Sequence, residues 1–138
     1  MRTLWTDGSA VPNPGPGGFA VIEDGKPIAL GSETKSSNIR MEGSALIAAM
    51  EILAGKPGEV VTDSEFWVNA LTKWAPKWEA DNWTKKSGPI KNLDLVKKAY
   101  ALYKLGNVKL KWTRGHVGTE MNETADEWAN KAREGATI

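Results

Sequence analysis

The spacing of apolar positions changes several times along the chain, and each change marks an element. Thr3-Leu4-Trp5-Thr6 reads as a short strand ending at Asp7. The Gly/Pro cluster from Pro12 to Gly18 follows, a run that neither a helix nor a central strand is expected to tolerate. Phe19-Ala20-Val21-Ile22 reads as a second strand, and Asp24-Gly25 is a two-residue hairpin signal that returns the chain through Ile28-Ala29-Leu30 to Glu33. From Met41 the period becomes helical. Met41, Ala45, Ala48, Ala49, Ile52 and Leu53 share one face, and Gly55 with Pro57 stops the run.

Beyond that helix, Val60-Val61-Thr62 is short, apolar and β-branched, as a buried strand ending at Asp63 should be. Ser64 is placed to cap a helix running to about Lys73, and a second helix spans Asn92 to Leu105 with Leu95, Val96, Ala99, Leu102 and Tyr103 inward. Val108 to Trp112 alternates as a strand. Thr119 to about Arg133 makes a last helix on Ala125, Trp128, Ala129 and Ala132. Three antiparallel strands followed by βα units predict a mixed sheet with helices on its faces, in the α/β (α+β) class. With no internal repeat or linker, residues 1–138 read as a single domain.

Composition narrows the function classes. An apolar content of 41% with 25% charged residues is that of a globular chain, and no apolar run reaches the ~20 residues of a membrane span. The start of the chain runs directly into strand pattern, unlike a secretory leader. Cysteine is absent, which excludes disulfide frameworks and thiolate zinc sites and fits a cytoplasmic setting. Net charge is only +1, but residues 71–111 carry ten Lys against Glu79, Asp81 and Asp94, leaving the remainder acidic. One surface for phosphates and another for cations is the arrangement this asymmetry suggests. Trp74, Trp78 and Trp83 are interleaved with these lysines, Trp78 being the one expected in the core.

Acidic residues supply the candidate chemistry. Asp7 and Asp63 each end a strand, Glu42 sits in the first turn of a helix, and Asp126 lies on the last helix. Singly, each has an ordinary explanation: helix-dipole interaction, capping or a solvated face. If the two strands are neighbours, however, Asp7 and Asp63 emerge at the same sheet end, where Glu42 and Asp126 could join them from helices packed on either side. The mutual repulsion of four carboxylates gathered there would call for a cation. All-oxygen donors favour magnesium or manganese. The Gly/Pro loop lacks the Lys-Ser/Thr ending of a phosphate loop, so a nucleoside triphosphate site is not expected. The helix start at Ser37-Asn38 suits a backbone phosphate. His116, the only histidine, lies between Gly115 and Gly118 and is placed to act as a mobile proton carrier.

These segments together resemble the type 1 ribonuclease H family. The resemblance rests on Thr6-Asp7-Gly8-Ser9, Asn13 to Gly18, Asn38-Ile39-Arg40-Met41-Glu42, Thr62-Asp63-Ser64, Arg114-Gly115-His116 and Asn122-Glu123 through Asp126. They occur in family order over nearly the whole chain. The resemblance implies a ribonuclease H-like fold, a five-stranded mixed sheet of order 3-2-1-4-5 with its first three strands antiparallel and helices on both faces. It implies a monomeric endonuclease, without membrane association, that cleaves the RNA strand of RNA–DNA hybrids to leave 5′-phosphate and 3′-hydroxyl ends.

Carried over, Asp7, Glu42, Asp63 and Asp126 would hold two Mg2+ ions, Mn2+ being a possible substitute, with His116 as the further catalytic group. Glu42 would also contact a ribose 2′-hydroxyl. Substrate contacts would come from Gly8, Ser9, Asn13, Ser37, Asn38, Ile39, Met41 and Asn122, and from Trp74 and Trp83 in a handle at about residues 74–89. Three departures from the family pattern stand out: Ile39 where Asn is common, Glu65 where Gln is frequent, and Glu79, Asp81 and Asn82 in a segment that is strongly cationic elsewhere. They predict a weaker grip on the hybrid. The rival readings are a same-fold nuclease acting on another polymer, such as a DNA junction resolvase, and a non-catalytic hybrid-binding module. The second would require a missing ligand acid, and none is missing.

Overall fold

The computed structural model describes residues 2–85, 88–113 and 120–136, without the side chains at 120–122. Strand β1 (Arg2–Ala10) pairs antiparallel with β2 (Gly15–Glu23), which pairs antiparallel with β3 (Lys26–Ser36). The turn at Asp24-Gly25 joins the last two with both residues at positive φ, 53° and 78°, as a tight hairpin on twisted strands requires. Helix α1 (Asn38–Leu53) leads to β4 (Gly58–Thr62), parallel to β1, and β5 (Val108–Trp112) is parallel to β4. The sheet order is β3-β2-β1-β4-β5, as the resemblance implied.

Between β4 and β5 the chain is helical in three pieces. Helix α2 (Glu65–Asn69) passes through a π-helical segment (Ala70–Trp74) into α3 (Ala75–Ala80), and α4 (Leu93–Tyr103) returns to β5. The helix expected to stop near Lys73 therefore continues to Ala80. Pro76 has no N–H to give the α ladder, and the widened turn just before it absorbs that interruption. The last described element is α5 (Glu120–Arg133).

Two apolar layers cover the sheet. On one face Leu4, Val21 and Val60 pack against Leu46, Met50 and Leu53 of α1, with Trp67, Leu71, Val96 and Ala99 behind them. Helix α1 is buried around most of its girth because Gly43 admits the Trp67 ring where a Cβ would strike it. Trp67 is thus the core indole of this region, and Trp78, expected in that role, is half-buried at its edge. On the other face Ala20 and Ile22 meet Ala125 and Ala129 of α5, flanked by Trp5, Leu30 and Trp128.

The Gly/Pro cluster departs from expectation. Only Val11–Pro14 is loop, while Gly15–Gly18 belong to β2 at the middle of the sheet. Their missing side chains explain it. A Cβ on Gly17 would lie 2.7 Å from Met41 Cγ on α1, and one on Gly18 would lie 2.5 Å from the Ala129 carbonyl oxygen on α5. Both helices rest on bare strand backbone there, an approach only glycine permits. Gly18→Ala should cost about 1–3 kcal/mol in urea unfolding. A loss below about 0.5 kcal/mol would show that α5 is not in backbone contact with β2.

Candidate active site

Strand β1 outruns its parallel neighbour: β4 pairs with it over Arg2–Trp5, while β2 accompanies it to Ala10. Asp7 therefore lies inside β1, opposite Ala20, and not at its end as the sequence suggested. It sits where the sheet opens beyond the end of β4, and Asp63 follows β4 at that same opening. Thr6 Oγ1 donates to the Val61 carbonyl at 3.2 Å and the Thr113 N–H to the Thr62 carbonyl at 2.9 Å, holding the strand ends together. The Trp112 indole N–H adds a bond to the Asp63 carbonyl at 3.2 Å. An aromatic closing a strand carries no sequence signal for such a role.

Glu42 reaches the cluster because α1 crosses β1 at Gly8. A Cβ there would collide with the Met41 carbonyl and come 2.5 Å from the Glu42 nitrogen. Gly8 is thus the contact that sets Glu42 beside Asp7. Its own N–H donates to Asp7 Oδ1 at 2.8 Å. Ser64 caps α2 by accepting from the Trp67 N–H at 3.3 Å, and its side chain also bonds the Glu42 carboxyl.

One carboxylate oxygen each from Asp7, Glu42 and Asp63 lies within 4.8 Å of the other two. Burial, then the charge of Asp63 and that of Asp126, pushes the Asp7 carboxyl up to about 9. Burial and Asp63 push Glu42 up to about 8, against the lowering effect of Ser64. Asp126, on α5, lies close enough to raise the Asp7 carboxyl, but it stands outside the group of three whose oxygens lie within 4.8 Å of one another. A divalent cation among these oxygens would relieve the repulsion that raises both carboxyls. Hard oxygen donors alone fit Mg2+ or Mn2+.

The expected substrate contacts are placed less uniformly. Ser37 caps α1, accepting from the Arg40 N–H at 3.2 Å. Asn13 Oδ1 accepts from the Asn38 N–H at 3.1 Å, and Asn38 Oδ1 from the Ala10 N–H at 2.7 Å, so the first side chain ties the 11–14 loop and the second the end of β1 to the start of α1. The Ile39 side chain is exposed, and its carbonyl accepts from the Trp67 indole at 2.7 Å. Met41 is wholly buried beneath Gly17. Ser9 bonds Asn130 on α5. Phe66, Trp74, Trp78, Ile90, Lys85 and Lys91 line an open cavity of about 350 Å³. Trp83 stacks edge-on to Tyr100 with Lys97 over its ring. His116 and the side chain of Asn122 lie outside the described residues.

A mixed 3-2-1-4-5 sheet with carboxylates gathered where β1 and β4 part is the architecture of the ribonuclease H-like fold. The RNase H family model matches residues 1–134, and the chain belongs to that family as a ribonuclease H. It is 41% identical to a ribonuclease H of Granulibacter bethesdensis over 94% of this chain and 90% of that protein. Among solved structures it superposes on LC9-RNase H1, a type 1 RNase H, with a TM-score of 0.81 at 29% identity, covering 99% of this chain and 73% of that one. A foamy viral protease-reverse transcriptase in complex with RNA/DNA hybrid gives a TM-score of 0.78 at 18% identity over 98% of this chain and 20% of that one, a likeness of fold alone.

Asp7 and Glu42 hold protons more tightly in the folded, metal-free protein than in the unfolded chain, where carboxyls titrate near ~4. As pH rises the unfolded chain loses its protons first. Metal-free stability should therefore fall between about pH 4 and pH 9, and added Mg2+ should restore it. Thermal unfolding with a chelator at about pH 5 and about pH 8.5 checks this, and Asp7→Asn should raise metal-free stability at the higher pH by ~1–2 kcal/mol. A flat profile would contradict the coupling.

Proposed function

We propose that this chain hydrolyses the RNA strand of RNA–DNA hybrids with two divalent cations held by Asp7, Glu42, Asp63 and Asp126. The observation that carries the reading is the convergence of these acids, from β1, α1, the end of β4 and α5, inside an RNase H fold. Asp7, touching both neighbours, is the group that would be shared by the two ions. Glu42 and Asp63 would complete one site and Asp126 the other. Such cations supply a water acidified enough to attack near neutral pH and a counter-charge for the departing 3′-oxygen, so the products would carry 5′-phosphate and 3′-hydroxyl ends.

The protein's part is to hold the carboxylates against their repulsion and to position the backbone to be cut. Glu42, half-buried, would also accept from a ribose 2′-hydroxyl, which would select RNA over DNA. The start of α1, with Ser37, Asn38 and Ile39, and the adjoining loop at Asn13 would lie along the minor groove. The aromatic cavity under Lys85 and Lys91 would take the sugar–phosphate of the uncut strand. His116 would ferry a proton between site and solvent. The enzyme is read as a cytoplasmic monomer. Among the described residues no helix is long and apolar enough to cross a membrane.

Cleavage of a labelled hybrid with Mg2+, abolished by chelator, tests the reading beside duplex DNA and duplex RNA. Cutting confined to a DNA junction would overturn it. Asp63→Asn should lower turnover at least about 100-fold while leaving hybrid binding within a few-fold. Mg2+-dependent turnover near wild type in that variant would remove Asp63 from the chemistry.

Grip on the hybrid should be modest. Lys104 is paired to Glu79 at 2.6 Å, and Asp81 sits among Lys73, Lys77 and Lys85 in the groove beside the cavity. With four lysines bordering these two concavities, log affinity against log salt should have a slope of about −3 to −4. A slope steeper than about −6 would mean that far more phosphates are held.

A further inference from the structure

Beyond Asp126, α5 carries a second polar contact to β1 that the metal ligands do not include. Asp126, Asn130 and Arg133 stand four and three residues apart, one stripe of the helix. Asp7 and Ser9 are two apart on β1 and so share a face. The two rows meet rung by rung. Asp126 reaches Asp7, and Ser9 Oγ donates to Asn130 Oδ1 at 3.3 Å. Arg133 Nη1 closes the network, donating to Asn130 Oδ1 at 2.8 Å and lying 3.5 Å from Ser9 Oγ. Its side chain is only 18% exposed, low for a guanidinium with no carboxylate nearer than Glu134 Oε1 at 4.0 Å among the described residues.

Apolar packing sets only part of the register of this helix. Among its described side chains the fully buried ones are Ala125, Ala129 and Ala132; the first two meet Ala20 and Ile22, Trp128 flanks them half-buried, and the backbone at Ala129 and Arg133 lies against Gly18. Alanines interlock less than larger side chains, which leaves the polar contacts a share in fixing where α5 sits along the sheet. Gly18 is the register partner of Ser9, so the Ser9–Asn130–Arg133 network sits beside the place where α5 comes closest to the sheet. A metal site, by contrast, needs its ligands placed within a few tenths of an ångström.

We propose that Arg133, through Asn130 and Ser9, is a positioning residue that fixes the register of α5 on β1 and thereby sets the affinity of the cation shared by Asp7 and Asp126. The inference rests on the reading of Asp126 as a ligand. Removing Arg133 leaves every ligand in place but frees the helix that carries one of them. Cation affinity should then fall while the reaction at saturating cation is kept.

The test is Mn2+ binding to the hybrid-free protein, by calorimetry and by paramagnetic resonance, alongside the Mg2+ dependence of hybrid cleavage. Arg133→Gln and Asn130→Ala should weaken the more loosely held Mn2+ ion about 10-fold and raise the half-saturating Mg2+ concentration equally, with kcat at saturation within about two-fold of wild type. Arg133→Lys, which keeps one donor, should recover part of the affinity. Lys131→Ala, which breaks an exposed pair with Glu127, is the control for general loosening of α5 and should leave Mn2+ binding unchanged. Wild-type Mn2+ affinity in folded Arg133→Gln protein would overturn the inference, as would an equal loss in Lys131→Ala. Should Arg133→Gln fail to fold, Asn130→Ala and Arg133→Lys decide by the same comparison. Failure of the wild type to cleave hybrid would instead sink the parent reading, so the two failures remain distinct.

Discussion

Like charges packed together push the backbones that carry them apart, and the site exists only because those backbones are held more firmly than the carboxylates repel. Here the restraint is main chain lying directly on main chain. At Gly8 the first turn of α1 presses onto β1, and at Gly18 α5 presses onto β2, each where a side chain would stand in the way. The first contact brings Glu42 to Asp7; the second brings α5, and with it Asp126, over the other face of the same strand. Burial and repulsion then raise Asp7 and Glu42 far above ordinary carboxyls, a cost that a divalent cation reverses. Geometry and electrostatics are thus linked: the glycines permit a convergence of carboxylates whose repulsion a divalent cation would relieve.

Much of this was legible in the sequence. Hydrophobic periodicity located α1, α4, α5 and the strand cores, because burial on one face enforces period 2 or 3.6 whatever the detail, while α3 went unread past Lys73. Asp7, Glu42 and Asp63 stood out as acids at places where packing does not ask for charge, and they prove to be neighbours. What escaped was tertiary. Gly15–Gly18 look like loop by propensity and are central strand because two helices need the space. Asp7 looked like a strand terminus because the alternating apolar pattern stops there, yet the pairing with β2 continues on glycine and small residues. Trp67 reads like any aromatic near a helix start, and only the hole at Gly43 makes it the centre of the core. The roles of Trp112 and Arg133 depend on which residues lie across a gap, which no local pattern encodes.

The surface that would meet nucleic acid follows a different logic from the site. Its aromatic groups are coupled to one another, Phe66 to Trp74 and Trp74 to Trp78, at centroid separations of 5.6 and 5.9 Å. They ride on a helix that starts at Ser64, the residue after Asp63. The wall of the cavity and the proposed ligand Asp63 are therefore joined by a short helical segment, so strand placement and cleavage would share one mechanical reference. Charge is treated less generously. Glu79 and Asp81 temper the lysines around them, so a bound strand would be held by shape and stacking more than by bulk attraction to phosphate.

Asp7 and Asp126 touch although nearly the whole described chain separates them. The three-acid cluster of β1, α1 and β4 can assemble from the first half of the sequence, whereas the fourth acid arrives with the last described helix. During synthesis the early elements emerge first, and contacts between distant segments close last. A nascent or partly folded chain would thus present a half-built metal site beside exposed backbone, unable to cut the nucleic acids that surround a ribosome. With Asp126 as the proposed fourth ligand, completion of the fold would itself be a condition of activity.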